Sequence, residues 1–291
     1  MASSGKEIKR RIKSVKNIAQ ITKAMELVSA AKMRKSQAQA QASRPYAQLS
    51  GELLKHLTAK LGITAHPLIQ RVLPEDNHKP AEKTLVILMS SDRGLAGALN
   101  TNVINKALSL LKHESKEKFD LITIGKKGSD AARRFGYNIV ATFDGKDKNT
   151  TITDIYPVSH IVVNDYLDFK YEKVFIVYTD FVSTLVQKPS IVQLLPFEVA
   201  SKEIHDDFVF EPGPGEVLGR LVYRVLQFTI YQALVEAVAS EHSARMVAMR
   251  NANESAQDLI NELTLSYNQA RQASITKELA EISAAKLAME D

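Results

Sequence analysis

Residues 220–291 read RLVYRVLQFTIYQALVEAVASEHSARMVAMRNANESAQDLINELTLSYNQARQASITKELAEISAAKLAMED and contain neither glycine nor proline. Sixteen positions at alternating steps of three and four residues lie on one face of a helix, and twelve of them are apolar. This C-terminal seam comprises Leu221, Val225, Phe228, Gln232, Val235, Ala239, His242, Met246, Met249, Asn253, Ala256, Ile260, Leu263, Tyr267, Ala270 and Ser274. A helix of about 70 residues would be roughly 100 Å long. Such a length predicts a coiled coil, a shaft or a spacer.

Four positions of the C-terminal seam are polar or small and polar: Gln232, His242, Asn253 and Ser274. They predict a partner helix at close range, with its register specified by polar contacts. We interpret His242 as a seam residue rather than a ligand or a base, because no cluster of carboxylates and histidines surrounds it in the sequence.

The N-terminal residues 6–43 also lack glycine and proline. Their apolar residues recur at steps of three and four and predict one stripe of a second helix: Ile8, Ile12, Val15, Ile18, Ile21, Met25 and Val28. The helix is expected to continue toward Leu53, with Pro45 and Gly51 kinking or weakening it. Because a whole domain separates the two helices in sequence, they can pair antiparallel.

Positive charge is concentrated in the first helix. Residues 6–35 carry ten lysines and arginines against two glutamates, a net charge of +8, whereas the whole chain carries +5. We call these residues the basic strip. A strip so one-sided predicts an acidic partner, which could be nucleic acid, a lipid surface or carboxylate-rich protein loops. The alternative is an ordinary solvated helix face.

The central part of the chain holds all nine prolines and nearly all glycines, and it alternates strand and helix patterns. Strands are predicted at 84–89, 119–125, 139–143, 173–179 and 191–196, and helices at 99–111, 129–135 and 158–167. Alternation of this kind predicts a mostly parallel sheet covered on both faces, with the last two strands antiparallel to each other. Residues 65–82, with three prolines, are expected to form a loop.

Sequence motifs for catalysis are weak. The segment Ser90–Gly97 lies between a strand and a helix, where glycine-rich loops can bind phosphate, but it has neither the ending of a P-loop nor the full dinucleotide spacing. The chain has no cysteine, which excludes thiol chemistry and cysteine metal sites. We therefore expect no catalytic residue, no cofactor and no metal, and a chain that holds or moves partners.

Segments in all three zones resemble the gamma subunits of bacterial F-type ATP synthases. They are IKSVKNIAQITKAMELVSAAKM at 12–33, SDRGLAG at 91–97, SEHSARM at 240–246 and YNQARQASITKEL at 267–279. The resemblance implies an α/β fold: a long antiparallel coiled coil of the N- and C-terminal helices with an inserted Rossmann-like domain that has a mixed sheet. The implied domains are residues 1–58, 59–210 and 211–291.

The same resemblance implies a non-catalytic rotor shaft at the cytoplasmic face of the bacterial plasma membrane. Its partners would be the alpha and beta subunits, the epsilon subunit and the c ring, with indirect membrane association through that ring. Motif matching assigns partner contacts to Met25, Lys32, Arg245, Gln272 and Thr276. Arg245→Ala is expected to leave the fold intact, because an exposed helical arginine contributes little stability.

Two departures from the family pattern limit this transfer. The chain ends in Ser283–Asp291 rather than a glycine-alanine ending, and Phe208 and Phe210 stand where tyrosines often occur. Two alternatives stay open at this point. A nucleic-acid-binding coiled coil would also use the basic strip. A dinucleotide enzyme would use the central domain, although its acidic ribose-binding residue is not convincingly placed.

Overall fold

The computed structural model of the chain describes residues 2–61, 66–69, 82–112, 114–145, 150–197 and 211–290. Its α-helices and strands, in chain order, are α1 (Ala2–Leu61), β1 (Thr84–Met89), α2 (Leu99–Leu111), β2 (Phe119–Ile124), α3 (Lys126–Phe135), β3 (Asn138–Phe143), α4 (Tyr156–Leu167), β4 (Lys173–Phe181), β5 (Gln187–Leu195) and α5 (Pro214–Glu290). The chain forms two compact units. Unit 1 comprises Met1–Ser29 and Met246–Asp291, and unit 2 comprises Ala30–Arg245.

Unit 2 contains a five-stranded sheet in the order β3-β2-β1-β4-β5. The pairs β1–β2, β1–β4 and β2–β3 are parallel, and β4–β5 is antiparallel, as the sequence predicts. All six residues of β2 are buried, as is typical of a parallel strand covered on both faces. The short apolar runs in the sequence therefore correspond to the interior of this sheet.

Helices cover both faces of the sheet. Val86 and Leu88 of β1 join one buried cluster with α2 residues such as Val103. Leu85 and Ile87, which alternate with them, join a larger cluster with residues of α4 and of the unit 2 parts of α1 and α5. Each fully buried aliphatic side chain stabilises the fold by about 1.5–3 kcal/mol. The sheet thus packs directly against α1 and α5, the two long helices that precede and follow it in the chain.

Helix α1 runs without a break through Pro45, where the sequence predicts a kink or a weak point. Proline removes one backbone hydrogen bond from a helix interior. The α1 residues on either side of Pro45 pack on α5 within unit 2, and these contacts offset that loss. The Ser43 hydroxyl donates to Gln232 Oε1 at 2.6 Å, and the Tyr46 and Phe228 rings lie 4.1 Å apart between centroids. These pairs also show that α1 and α5 run antiparallel in unit 2.

Several predicted boundaries differ from the observed ones by a few residues. Helix α3 begins at Lys126 rather than 129, α4 at Tyr156 rather than 158, and β5 at Gln187 rather than 191. Helix α4 starts early because Pro157 is tolerated in the first turn of a helix. Strand β5 starts early because its polar first residues pair with the end of β4 across a hairpin.

The domain boundaries proposed from the sequence stay predictions. Helix α1 ends at Leu61, three residues beyond the proposed boundary at 58, and α5 begins at Pro214, close to the proposed start at 211. Most of the predicted loop 65–82 lies outside the described residues. Within its described part, residues 67–69 form a turn. Phe208 and Phe210 also lie outside them.

Candidate partner-contact surface

The C-terminal seam is confirmed along α5 in unit 1. Every seam position from Met246 to Ser274 is buried or half-buried. Between Arg250 and Ser274, all other residues except Ala252 are exposed. A single narrow contact line is the burial pattern of a helix that packs on one partner helix.

The predicted stripe on α1 is only partly correct. Its first three positions, Ile8, Ile12 and Val15, are half-buried. Ile18, Ile21 and Val28, however, are 49%, 60% and 56% exposed. The contact line continues instead through smaller or polar residues: Ala19, Thr22, Glu26 and Ser29. The sequence interpretation followed the larger apolar side chains, which lie one position away from the strict spacing of the seam.

Glu26 is the charged centre of this contact line in unit 1. Its side chain is 8% exposed and accepts hydrogen bonds from Lys23 Nζ at 3.0 Å and from Arg250 Nε at 3.1 Å. The hydrogen bond from Lys23, and then the one from Arg250, lower the pKa of Glu26 although burial acts in the opposite direction. The pair Glu26–Arg250 joins α1 to α5 and fixes their register in unit 1.

A basic groove lies between α1 and α5 within unit 1. It has a volume of about 310 Å³ and is lined by Gly5, Lys6 and Lys9 of α1 and by Tyr267, Ala270, Arg271 and Ser274 of α5. Residues near the start of α1 lie beside residues near the end of α5, so the two helices are antiparallel in unit 1 as well. Three cations around one groove give it a positive potential that favours an acidic partner.

Three of the predicted partner contacts lie in unit 1. Met25 is half-buried beside the seam, and Gln272 and Thr276 are exposed on α5. The Thr276 hydroxyl donates to the backbone oxygen of Gln272 at 3.0 Å, so the two residues occupy adjacent turns of one helix face. Gln272 and Thr276 are therefore accessible to a partner, and their role as contacts stays a prediction.

Arg245 of unit 2 is buried, and the expectation that it is an exposed helical arginine is wrong. Only 8% of its side chain is exposed. Its Nη2 bonds Glu241 Oε1 at 2.7 Å, and its Nε and Nη2 lie 3.3 and 3.4 Å from the backbone oxygen of Gly94. Its Nη1 lies 3.5 Å from His242 Nδ1, and His242 is itself a buried seam residue as predicted. Sequence spacing could not reveal this cluster, because Gly94 is far from Arg245 in the chain.

The remaining predicted contact, Lys32, is half-buried in unit 2. The other nine cations of the basic strip are exposed. The strip is therefore exposed over most of its length, as both the acidic partner and the solvated helix face require.

Side chains of the turn after β1 bond the first turn of the neighbouring helix α3. Ser90 Oγ accepts from the Gly128 N–H at 2.7 Å, and Asp92 Oδ1 accepts from the Lys126 N–H at 2.9 Å. These amides belong to the first turn of α3, which would otherwise attract an anion. The glycine at 125 has a φ of +93°, and a side chain there would collide with the Ser90 backbone. This arrangement supports a structural turn, in agreement with the sequence interpretation.

Sequence reasoning missed one charged cluster between α1, α5 and β4. Glu236 of α5 is 5% exposed and accepts from Arg44 Nη2 at 3.1 Å and from Gln232 Nε2 at 2.8 Å. Burial raises the pKa of Glu236 above its ordinary value, against the hydrogen bonds from Gln232 and Arg44, and Asp180 acts in the same direction as burial. No local pattern in the sequence marks this cluster, because Arg44 and Glu236 are 192 residues apart in the chain.

Metal and cofactor sites were not expected from the sequence. Among the residues that the structure describes, no group of three or more histidine, aspartate or glutamate side chains is arranged to hold a metal ion.

The architecture defines a class: proteins in which two long terminal helices pair and enclose, in sequence, an inserted α/β domain with a mixed sheet. A chain in the cryo-EM structure of the Euglena gracilis mitochondrial ATP synthase (OSCP/F1/c-ring, rotational state 3) has this fold, with a TM-score of 0.70 over 99% of this chain and 95% of that chain at 20% identity. A chain from the central stalk and c ring of the Tetrahymena thermophila mitochondrial enzyme matches with a TM-score of 0.60, over 80% of this chain and 99% of that chain at 23% identity.

The ATP synthase family model matches residues 4–289. The ATP synthase gamma chain of Roseiflexus sp. (strain RS-1) is 43% identical over 291 residues, which covers 98% of each chain. The ATP synthase gamma chain of Herpetosiphon aurantiacus is 40% identical over 298 residues and 99% of each chain. The chain therefore belongs to the ATP synthase gamma chain family.

Proposed function

We propose that this chain is the central rotor shaft of an F-type ATP synthase. In this role it couples proton-driven rotation of the membrane c ring to ATP synthesis in the hexamer of alpha and beta subunits. Membership of the gamma chain family supports the proposal. The observation that carries it is the surface of α1 in unit 1, where residues 19–29 bury small and polar side chains and expose the large apolar ones beside them.

A two-helix pair that functioned alone would be expected to bury its largest apolar side chains. Unit 1 instead exposes Ile18 and Ile21 of α1, and Leu265 of α5 is 63% exposed. Exposed apolar surface of this extent is typical of an interface. An enclosing ring of subunits would cover it on all sides, which a single binding partner would not.

The basic strip supports an acidic partner inside that ring. Nine of its ten cations are exposed, so carboxylate-rich loops of a partner could reach them and be attracted to them. We assign these loops to the beta subunits. Met25 and Arg245 are each proposed to contact these loops, with Arg245 acting in the way argued below. Lys32 is proposed as a further partner contact, and Gln272 and Thr276 are proposed to contact a second loop of the beta subunits.

In this role the chain is non-catalytic, and ATP chemistry belongs to the alpha and beta subunits. The amides at the first turn of α3 are already bonded to Ser90 and Asp92 and so are not free for a nucleotide phosphate. The isolated chain is expected to hydrolyse no ATP, and an ATP affinity in the micromolar range, measured by titration, would contradict this.

The α/β domain is proposed to bind the epsilon subunit and the c ring, at the cytoplasmic face of the bacterial plasma membrane. No helix within the described residues is long and apolar enough to cross a membrane. We propose that attachment to the membrane is peripheral and indirect, through the c ring. The bacterial sources of the gamma chain relatives support this location.

Co-expression with alpha and beta subunits tests the proposal. The chain is expected to co-purify with them and to support ATP-driven proton pumping when the complete enzyme is reconstituted in vesicles. The double variant Ile18→Asp/Ile21→Asp should weaken assembly strongly, because both side chains are exposed and would face the ring.

The matched control places the same charges on exposed polar positions of the same helix, Ser14→Asp/Asn17→Asp, and should assemble nearly as well as the parent. Failure of the parent chain to co-purify would refute the rotor assignment. The nucleic-acid-binding alternative has no support from the relatives. Tight binding to duplex DNA, with an affinity that decreases steeply as the salt concentration rises, would be the evidence for it.

A further inference from the structure

The buried Arg245 is hydrogen-bonded to the turn after β1 within unit 2. Hydrogen bonds hold the turn Ser91–Gly97 at its first residue and in its middle. Asn100 Oδ1 accepts from the Ser91 N–H at 3.1 Å, and Ser91 Oγ donates to the Arg93 backbone oxygen at 2.6 Å. The middle of the turn, at Gly94, is held by Arg245 of α5. Arg245 therefore hydrogen-bonds the middle of the turn directly to α5.

The turn carries a conformational outlier at its tip. Leu95 has a φ of +62°, in the left-handed region that non-glycine residues rarely adopt. Its side chain is 61% exposed, while the next residue, Ala96, is buried. Strain of this kind persists only where the surroundings enforce it, and it is found preferentially at functional sites. Here it presents a large apolar side chain, next to the exposed Arg93, away from the domain.

Arg245 itself has little surface to offer a partner. Its charge is neutralised by Glu241, which is 15% exposed, and its remaining donors are directed to Gly94 and His242. A contact made by this guanidinium with a partner would first require it to leave these bonds.

We propose that Arg245 is a positioning residue, which clasps the Ser91–Gly97 turn to α5, and that Leu95 with Arg93 makes the contact in its place. This inference rests on the proposed rotor function. The partner surface that fits is an apolar recess bordered by carboxylates, complementary to one leucine and one arginine. Force between α5 and that surface then passes through the turn, and the clasp makes the turn move with the helix.

The first experiment uses the free chain and does not depend on assembly. Hydrogen exchange, followed by mass spectrometry, is measured on peptides that contain Ser91–Gly97. Arg245→Ala should speed their exchange about tenfold or more, since charged hydrogen bonds to the turn are lost. Arg224→Ala, an exposed arginine on the same helix, is the control and should leave the turn unchanged. Unchanged exchange in Arg245→Ala would overturn the clasp.

Two milder variants keep the test decisive if Arg245→Ala does not fold. Arg245→Lys keeps the charge but cannot bond Glu241 and Gly94 together, and Glu241→Gln removes the charge that orients the guanidinium. Both should give an intermediate increase in exchange of the turn, with an unchanged circular dichroism spectrum. If both variants exchange like the parent chain, the clasp is refuted.

The second experiment measures the contact in the assembled enzyme, as protons pumped per ATP hydrolysed. Leu95→Gly removes the apolar side chain and also relieves the positive φ, so a loss of coupling cannot be attributed to misfolding. We expect Leu95→Gly and Arg245→Ala each to lower the ratio, and the double variant to be no worse than the more severe single one, because both act through the same turn.

Additive losses would mean that Arg245 acts independently of the turn and would overturn the inference, as would a normal ratio in Leu95→Gly. Failure of the parent chain to assemble is a different result, since it would refute the rotor function while leaving the exchange test of the clasp in force.

Discussion

Replacement of Glu26 by glutamine tests how the two helices of unit 1 are held in register. The substitution keeps the shape of the side chain and removes its charge. Glu26 is 8% exposed and bonds two cations, Lys23 and Arg250, at 3.0 and 3.1 Å. A hydrogen bond to a charged group is worth about 1.5–3 kcal/mol. Both cations are 54% exposed, so solvent screening reduces the loss, and we expect about 1–2 kcal/mol of local stability.

Hydrogen exchange of the peptides that cover 19–29 and 246–253 measures this loss directly. An opening free energy lower by that amount should speed exchange about 5- to 30-fold at neutral pH. Glu7→Gln is the matched control on the same helix, because the pair Glu7–Arg11 is 2.8 Å long but exposed on both sides. Exposed pairs of this type contribute about 0.3–0.5 kcal/mol, so the control should change little.

The effect must also depend on pH in a defined direction. The folded pKa of Glu26 is lowered from 4.5, so its contribution is present above that value and is lost as the pH falls through the folded pKa. The difference between Glu26→Gln and the parent chain should therefore vanish in acid. Equal exchange in Glu26→Gln and Glu7→Gln at neutral pH would refute the reasoning, as would a difference that persists at low pH.

Three further predictions concern unit 2 and the end of α5. The folded pKa of Glu236 is raised from 4.5, so the parent chain loses folding stability as the pH rises above 4.5. The free energy of unfolding of Glu236→Gln, measured by denaturant titration, should therefore increase relative to the parent between pH 4.5 and neutrality. A difference that does not change with pH would contradict this. Gly125→Ala should destabilise the chain by about 3 kcal/mol or more, because the new methyl group would collide with the Ser90 backbone. Gly136 is also at positive φ but has open space around it, so Gly136→Ala should cost only about 1–2 kcal/mol. Equal melting temperatures of the two variants would refute the collision argument. In the free chain, amides at 275–284, whose residues are all exposed, should exchange fast and those of Leu85–Met89 slowly, and uniformly slow exchange would contradict an unenclosed helix end.

The sheet and the C-terminal seam could be predicted because large apolar residues mark both. The run Leu85–Met89 is fully buried and stood out as an uninterrupted apolar segment. The seam of α5 has large residues such as Met249 and Ile260 at its regular spacing. In each case the side chain that carries the hydrophobic signal is also the one that the fold buries.

The same logic failed on residues 18–29 of α1, where the buried residues carry almost no hydrophobic signal. Thr22 and Ser29 are buried, while Ile21 and Val28, their immediate neighbours, are exposed. Apolar periodicity assumes that burial follows hydrophobicity within one chain. That assumption does not hold where a surface is shaped for another molecule, so the strict spacing was the better guide than the size of the side chain.

Arg245 could not be predicted for a different reason. Its helical position and its local motif were visible in the sequence, but its burial depends on the loop that contains Gly94, which the sheet topology brings to α5. Contacts between residues so distant in sequence leave no local pattern. Its interpretation as an exposed arginine was the default for a helical cation, and the fold overrides it.

The unusual seam of unit 1 also links the stability of its helix pair to its partners. On α1, residues 19–29 of the contact line are alanine, threonine, glutamate and serine, so the helix pair gains less there from apolar burial than large residues would provide. Ile18, Ile21 and Val28 of the same helix stay exposed. Long helices owe most of their stability to tertiary packing. An enclosing partner that binds only the paired form therefore stabilises it by mass action. The same partner would mask the Glu26→Gln defect, so exchange at 19–29 should differ between variant and parent in the free chain and converge in the assembled complex.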